Sequence, residues 1–155
     1  GGTPSTRERL AQAFHSEPMP TATTANALNI RVPITQCSLE LLEQHWILGM
    51  GQPRVQPALD ACYGRFGIPQ LRDGSYSTHC QPLHWWIAFG LAGLAAFLVL
   101  FGVPLREAFR RADGQAVGFL LIIVLCCLTE NVLARQWGVV LFAYVNALLL
   151  AGRRA

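Results

Sequence analysis

From Gly74 to Leu105 the chain carries no Asp, Glu, Lys or Arg. Within that stretch, residues 84–104 form an apolar run of twenty-one residues. As a helix it rises about 31 Å, close to the thickness of a bilayer's hydrocarbon core. Such a segment must be buried in a large protein core or in lipid. With 155 residues, 52% hydrophobic and only 14% charged, lipid is the simpler home. Two further uncharged stretches follow, 114–129 and 136–152. Trp85 and Trp86 open the first stretch, where aromatic rings anchor a span at the interface. Gly90, Gly93 and the alanines at 92, 95 and 96 give it a small-residue face for close helix packing. The expectation is an all-α membrane protein. Three C-terminal transmembrane helices, at about 84–104, 115–133 and 137–152, make up a membrane region over residues 83–155. A re-entrant hairpin formed by the second and third stretches is the alternative.

Residues 1–83 carry twelve of the twenty-one charges and read as water-exposed. The basic residues set the orientation. Arg106, Arg110 and Arg111 follow the first apolar stretch and Arg153 and Arg154 the third, so both loops belong in the cytoplasm. Residues 1–82 then form a mostly helical loop region on the opposite face, the periplasm of a Gram-negative cell. Short helices are expected at 6–14, 35–48 and 57–66, with a loop at 18–27 and turns over 67–77. Leu39, Leu42, Trp46 and Ile47 fall near one face of the second helix. Leu59, Cys62, Tyr63 and Phe66 form the stripe of the third. These helices are expected against the membrane surface or against helices from elsewhere in the protein. The chain opens Gly-Gly-Thr without an initiator Met or signal peptide. It is therefore read as the C-terminal part of a longer polytopic protein, inactive by itself. A net charge of +3 is too small to suggest nucleic acid. The five cysteines show no CxxC spacing and suggest no disulfide framework.

Three residues can carry chemistry. His79 stands just ahead of the first apolar stretch, and an imidazole accepts and releases protons near neutral pH. An interfacial histidine that only binds headgroups or loop carbonyls has the same local sequence. Arg31 precedes the 35–48 helix, and its guanidinium fork suits phosphate; a solvated loop arginine is the bland alternative, as it is for Arg54, Arg65 and Arg72. Glu130 ends an apolar run, where a carboxylate is costly unless paired. Arg135 is its nearest cation in sequence, which makes a structural Glu130–Arg135 tie the expectation. His79, Cys80 and His84 fit no usual zinc spacing, and no G-x-S-x-G elbow occurs.

Three segments carry a resemblance. The first is Asn29-Ile30-Arg31, then Ser38-Leu39-Glu40-Leu41-Leu42 and Trp46-Ile47-Leu48-Gly49-Met50-Gly51. The second is His79, Cys80, nine residues, Gly90, two residues, Gly93. The third runs from Leu128 through Glu130 and Arg135 to Gly138. In order and spacing they resemble the O-antigen ligase and polymerase superfamily of bacterial membrane glycosyltransferases. Cys80 stands where that pattern has Asn, Ser or Gln, and Thr35 where some ligases have Leu. The resemblance implies an inner-membrane enzyme that needs no cofactor or metal and moves a glycan from an undecaprenyl-diphosphate carrier to an acceptor hydroxyl. His79 matches the proposed base and Arg31 the arginine that holds the leaving diphosphate. Gln81, Glu130 and Arg135 are expected to support the site or the structure around it. The partners implied are the carrier-linked glycan, an acceptor sugar or lipid A–core, membrane lipids and further N-terminal transmembrane helices. A polymerase or a protein O-oligosaccharyltransferase has the same parts. A non-catalytic transporter or scaffold piece, in which His79 and Arg31 are ordinary loop residues, is the rival class.

Overall fold

The computed structural model describes residues 29–151, and among them every regular element is a helix. The expected helix at 6–14 and loop at 18–27 lie outside the described residues.

Helix α1 spans Arg31–His45, starting four residues earlier than the sequence suggests. Pro33 sits in its first turn, where the missing N–H costs nothing. The helix buries Pro33, Ile34, Cys37 and Ser38. Leu39, Trp46 and Ile47 stay about half exposed, and of the expected stripe Leu42 packs against the core. The reason lies in a residue the hydrophobic pattern undervalues: Cys37 is disulfide-bonded to Cys62, with 5.9 Å between the Cα atoms. This bond turns the Cys37 face inward and corrects the expectation of no framework.

Helix α2, Gln52–Tyr63, begins after Gly51 and carries Pro53 in its first turn. A 3-10 turn, Gly64–Phe66, extends it. Leu59, Cys62 and Tyr63 face inward as expected, with Val55 added. The segment read as turns contains a short helix, α3, Pro69–Asp73, held by buried Ile68 and Leu71. These elements form one core with Ile87 and Ala88. The segments between Ile30 and Leu71 thus pack on one another and on the helix that follows. Arg65, read as a solvated arginine, pairs with Glu40. Its guanidinium holds the Glu40 carboxyl below the usual carboxylate range.

Helix α4, Gln81–Arg110, is the one described helix long and apolar enough to cross a membrane by length and composition. It is not straight. Gly90 has φ 63° and ψ −148°, far from helical values. Trp85 and Phe97 are twelve positions apart, about 18 Å along a straight helix. Their rings nevertheless meet edge to face at 6.1 Å between centroids. The expected continuous span 84–104 is therefore broken, and the two arms of α4 close on each other at Gly90.

The chain at Ile47–Gly51 docks backbone to backbone into the break. Met50 N–H donates to Ile87 O and Gly51 N–H to Ala88 O, both at 2.9 Å; Leu91 N–H donates to Ile47 O at 3.0 Å. Gly49 lies at φ 73° and Gly51 at φ 87°. A Cβ on Gly49 would lie 2.4 Å from Ala88 O, and one on Gly90 2.0 Å from Ile47 O. Only glycine admits this approach.

Helix α5, Gly114–Thr129, is capped by Asp113, whose side chain accepts Ala116 N–H at 3.0 Å. It packs on the distal arm of α4 through Phe97, Phe101, Ile123 and Cys127. After the 3-10 turn Val132–Ala134, α6 spans Gln136–Ala151 and sets Phe142 against Phe101, the rings tilted and 5.1 Å apart between centroids. Sixteen residues each make α5 and α6 about 24 Å long. That falls short of the span length in both, so three spans are not established. Val99, Val103, Ile122, Leu125, Val140 and Tyr144 all face outward, each about 60% exposed.

Candidate active site

Glu130 is the hub of the site. It follows α5 in extended conformation, and its two carboxylate oxygens face different partners. Oε2 is 3.0 Å from His79 Nδ1, and Oε1 is 3.6 Å from the Arg31 guanidinium. The three residues come from three separate parts of the chain. The expected tie of Glu130 to Arg135 is replaced by these two contacts. The reason is geometric: the 3-10 turn between them sends Arg135 along the cavity wall instead of back onto the carboxylate.

His79 is held in a conformation that L-residues rarely adopt, φ 49°, which costs on the order of 1–3 kcal/mol. Its neighbours hold it there. The buried Thr78 hydroxyl donates to Cys80 O at 3.2 Å, closing a short loop around His79. Asn131 Nδ2 donates to Thr78 Oγ1 at 3.3 Å. Gln81 is fully buried, and its Oε1 accepts Leu133 N–H at 2.9 Å. Residues 78–81 and 130–133 are thus joined by three side-chain contacts. Gln81 is a brace between α4 and the 3-10 turn. The loop before His79 is fixed as well, because Tyr76 O accepts Tyr63 O–H at 3.0 Å and Gln56 Nε2–H at 3.2 Å.

His79, Glu130 and Arg135 line an open cavity of about 560 Å³, together with Gln52, Tyr76, His84 and Asn131. Arg31 is not in that lining; it borders a neighbouring groove along α1 and reaches the site through Glu130. His84 bonds Gln52, Nε2 to Oε1 at 3.1 Å. Among the described residues no cluster of His, Cys, Asp and Glu is arranged to hold a metal ion.

A carboxylate only accepts, so the proton shared with Glu130 sits on His79 Nδ1. In the neutral imidazole that leaves Nε2 as the lone-pair atom. The pair has the form of a histidine base oriented by a carboxylate, which also stabilises the imidazolium once a proton arrives. Both Glu130 and Arg31 are about half exposed, so their ion pair contributes only about 0–1 kcal/mol to stability. Orientation and charge, not folding energy, are what the arrangement supplies.

The O-antigen ligase family model matches residues 3–98. This chain belongs to the O-antigen ligase family. No curated protein and no solved structure matches the chain. The O-antigen ligase family is a membrane family of glycosyltransferase and ligase type, so glycan transfer involving a lipid-linked glycan and an acceptor is the class of chemistry at issue. The matched region includes Arg31, His79, Gly90 and Gly93 and stops short of Glu130. Gln52 and Tyr76 carry no mark in the sequence as site residues. The only local signal is that Gln52 directly follows the Gly49–Gly51 run.

Proposed function

We propose that this O-antigen ligase family member transfers a glycan from an undecaprenyl-diphosphate carrier to an acceptor hydroxyl, at the periplasmic face of the bacterial inner membrane. His79 Nε2 takes the proton of the attacking hydroxyl. The acceptor oxygen bonds to the anomeric carbon as the bond from that carbon to the diphosphate breaks, and the electron pair leaves with the carrier. Glu130 keeps His79 in the tautomer that presents Nε2 and stabilises its charged form. Arg31 offers the guanidinium N–H groups that Glu130 does not engage to the departing diphosphate, where negative charge develops.

The observation that carries this reading is the single carboxylate shared by His79 and Arg31. The two family-pattern residues, 48 positions apart, meet at one group. The Cys37–Cys62 disulfide supports the outer location, because such bonds persist in oxidising compartments. Lipid A–core is the acceptor we favour, since the family description is that of a ligase.

The test is complementation of a deletion strain by the complete protein. His79→Ala should abolish transfer at normal expression. Arg31→Lys should reduce it strongly, because a point charge lacks the fork. Wild-type surface-glycan profiles in both variants would refute the mechanism.

A further inference from the structure

The cavity has a second polar wall that the transfer step does not use. Gln52 and His84 face it from opposite sides of the glycine junction. Gln52 opens α2 immediately after Gly51, and His84 stands one turn before Ile87 and Ala88 in α4. The backbone bonds of Met50 and Gly51 to Ile87 and Ala88 therefore fix where these two side chains meet. His84 is buried, 7% exposed, and is held on the protein side of the pair. The Gln52 carbonyl oxygen only accepts, so the bond at 3.1 Å places the proton on His84 Nε2. The amide group is planar, and pinning its oxygen orients its NH2. That NH2 keeps both donors without a partner among the described residues, on an exposed side chain at the cavity wall.

We infer that the Gln52 amide, oriented by His84, is the hydrogen-bonding subsite for the acceptor glycan, donating to an oxygen of the sugar that carries the attacking hydroxyl. The inference rests on the transfer reading above. A cavity of about 560 Å³ lies within the range of about 300–1,000 Å³ typical of small-ligand sites. His79 and Gln52 line the same space, so a sugar seated on Gln52 is within the cavity that His79 Nε2 serves. A neutral donor pair suits sugar oxygens, whereas the diphosphate end of the donor substrate calls for the cation on the far side of Glu130. Gln52 is thus a specificity-determining residue, and His84 a positioning residue acting through it.

The test uses the complete protein in proteoliposomes, with undecaprenyl-diphosphate-linked O-glycan as donor and rough lipopolysaccharide as acceptor. Gln52→Glu keeps an oxygen for His84 Nε2–H and removes both donors. It should raise KM for the acceptor about tenfold, with a smaller effect on kcat and donor KM unchanged. Gln52→Ala should move the same constant the same way, and it decides the matter if the added charge lowers the melting temperature. His84→Ala should give a weaker rise, because the amide is freed but retained. An acceptor KM equal to wild type in both Gln52 variants overturns the subsite, as does a rise confined to donor KM. Undiminished turnover in His79→Ala overturns the transfer mechanism itself. Loss of turnover there with unaltered Gln52 variants overturns only the subsite.

Discussion

Replacing Gly90 by alanine should dismantle the junction between the Ile47–Gly51 segment and α4. Two costs add. At φ 63° and ψ −148° a residue with a Cβ loses on the order of 1–3 kcal/mol. Its Cβ would also lie 2.0 Å from Ile47 O, a backbone atom that cannot rotate away. Relief requires the 47–51 segment to lift, breaking the three backbone hydrogen bonds that join it to α4. At a net 0.5–1.5 kcal/mol each, these contribute about 1.5–4.5 kcal/mol. The total, about 2.5–7.5 kcal/mol, is a large share of the 5–15 kcal/mol typical of a folded domain. Thermal unfolding in detergent is the assay, with Gly102→Ala as the control, because a Cβ there meets nothing within 4 Å. The control should be neutral or stabilising by up to about 1 kcal/mol, as alanine favours helix. Gly90→Ala should melt at least about 5–10 °C lower. Equal melting of Gly90→Ala and wild type would refute the bent helix and the junction together.

Glu130→Gln keeps the size of the hub and removes its charge; kcat should fall roughly 10- to 100-fold with little change in donor KM. Wild-type kcat in that variant would separate Glu130 from the base. Cys37→Ser should cost about 3.5 kcal/mol, from a loop closed over a separation of 25 residues. Wild-type protein treated with dithiothreitol should melt like Cys37→Ser. Transfer should weaken too, because Arg31 lies on the same helix as Cys37. A melting temperature indifferent to dithiothreitol would show that the bond does not brace α1.

The resemblance reached His79 and Arg31 through short patterns in which each residue stands among its own neighbours. Glu130 was legible only as a carboxylate in need of a partner. Sequence distance named Arg135, five residues on, whereas the fold brings His79 from 51 positions away. The stripe Leu39, Trp46 and Ile47 stays about half exposed within the described residues. Periodicity shows that a face is apolar, but not whether protein or something outside the described residues covers it.

Composition by itself determined that this chain is helical and apolar. An uncharged stretch from Gly74 to Leu105 leaves backbone polar groups no partner in lipid except one another. That stretch also holds Gly90 and Gly93, read as part of a small-residue packing face. Only the tertiary structure decided that Gly49 and Gly90 meet, that α4 breaks at Gly90, and that one carboxylate serves both His79 and Arg31. Those outcomes depend on contacts between segments forty to one hundred residues apart, and no local propensity encodes a distance of that kind.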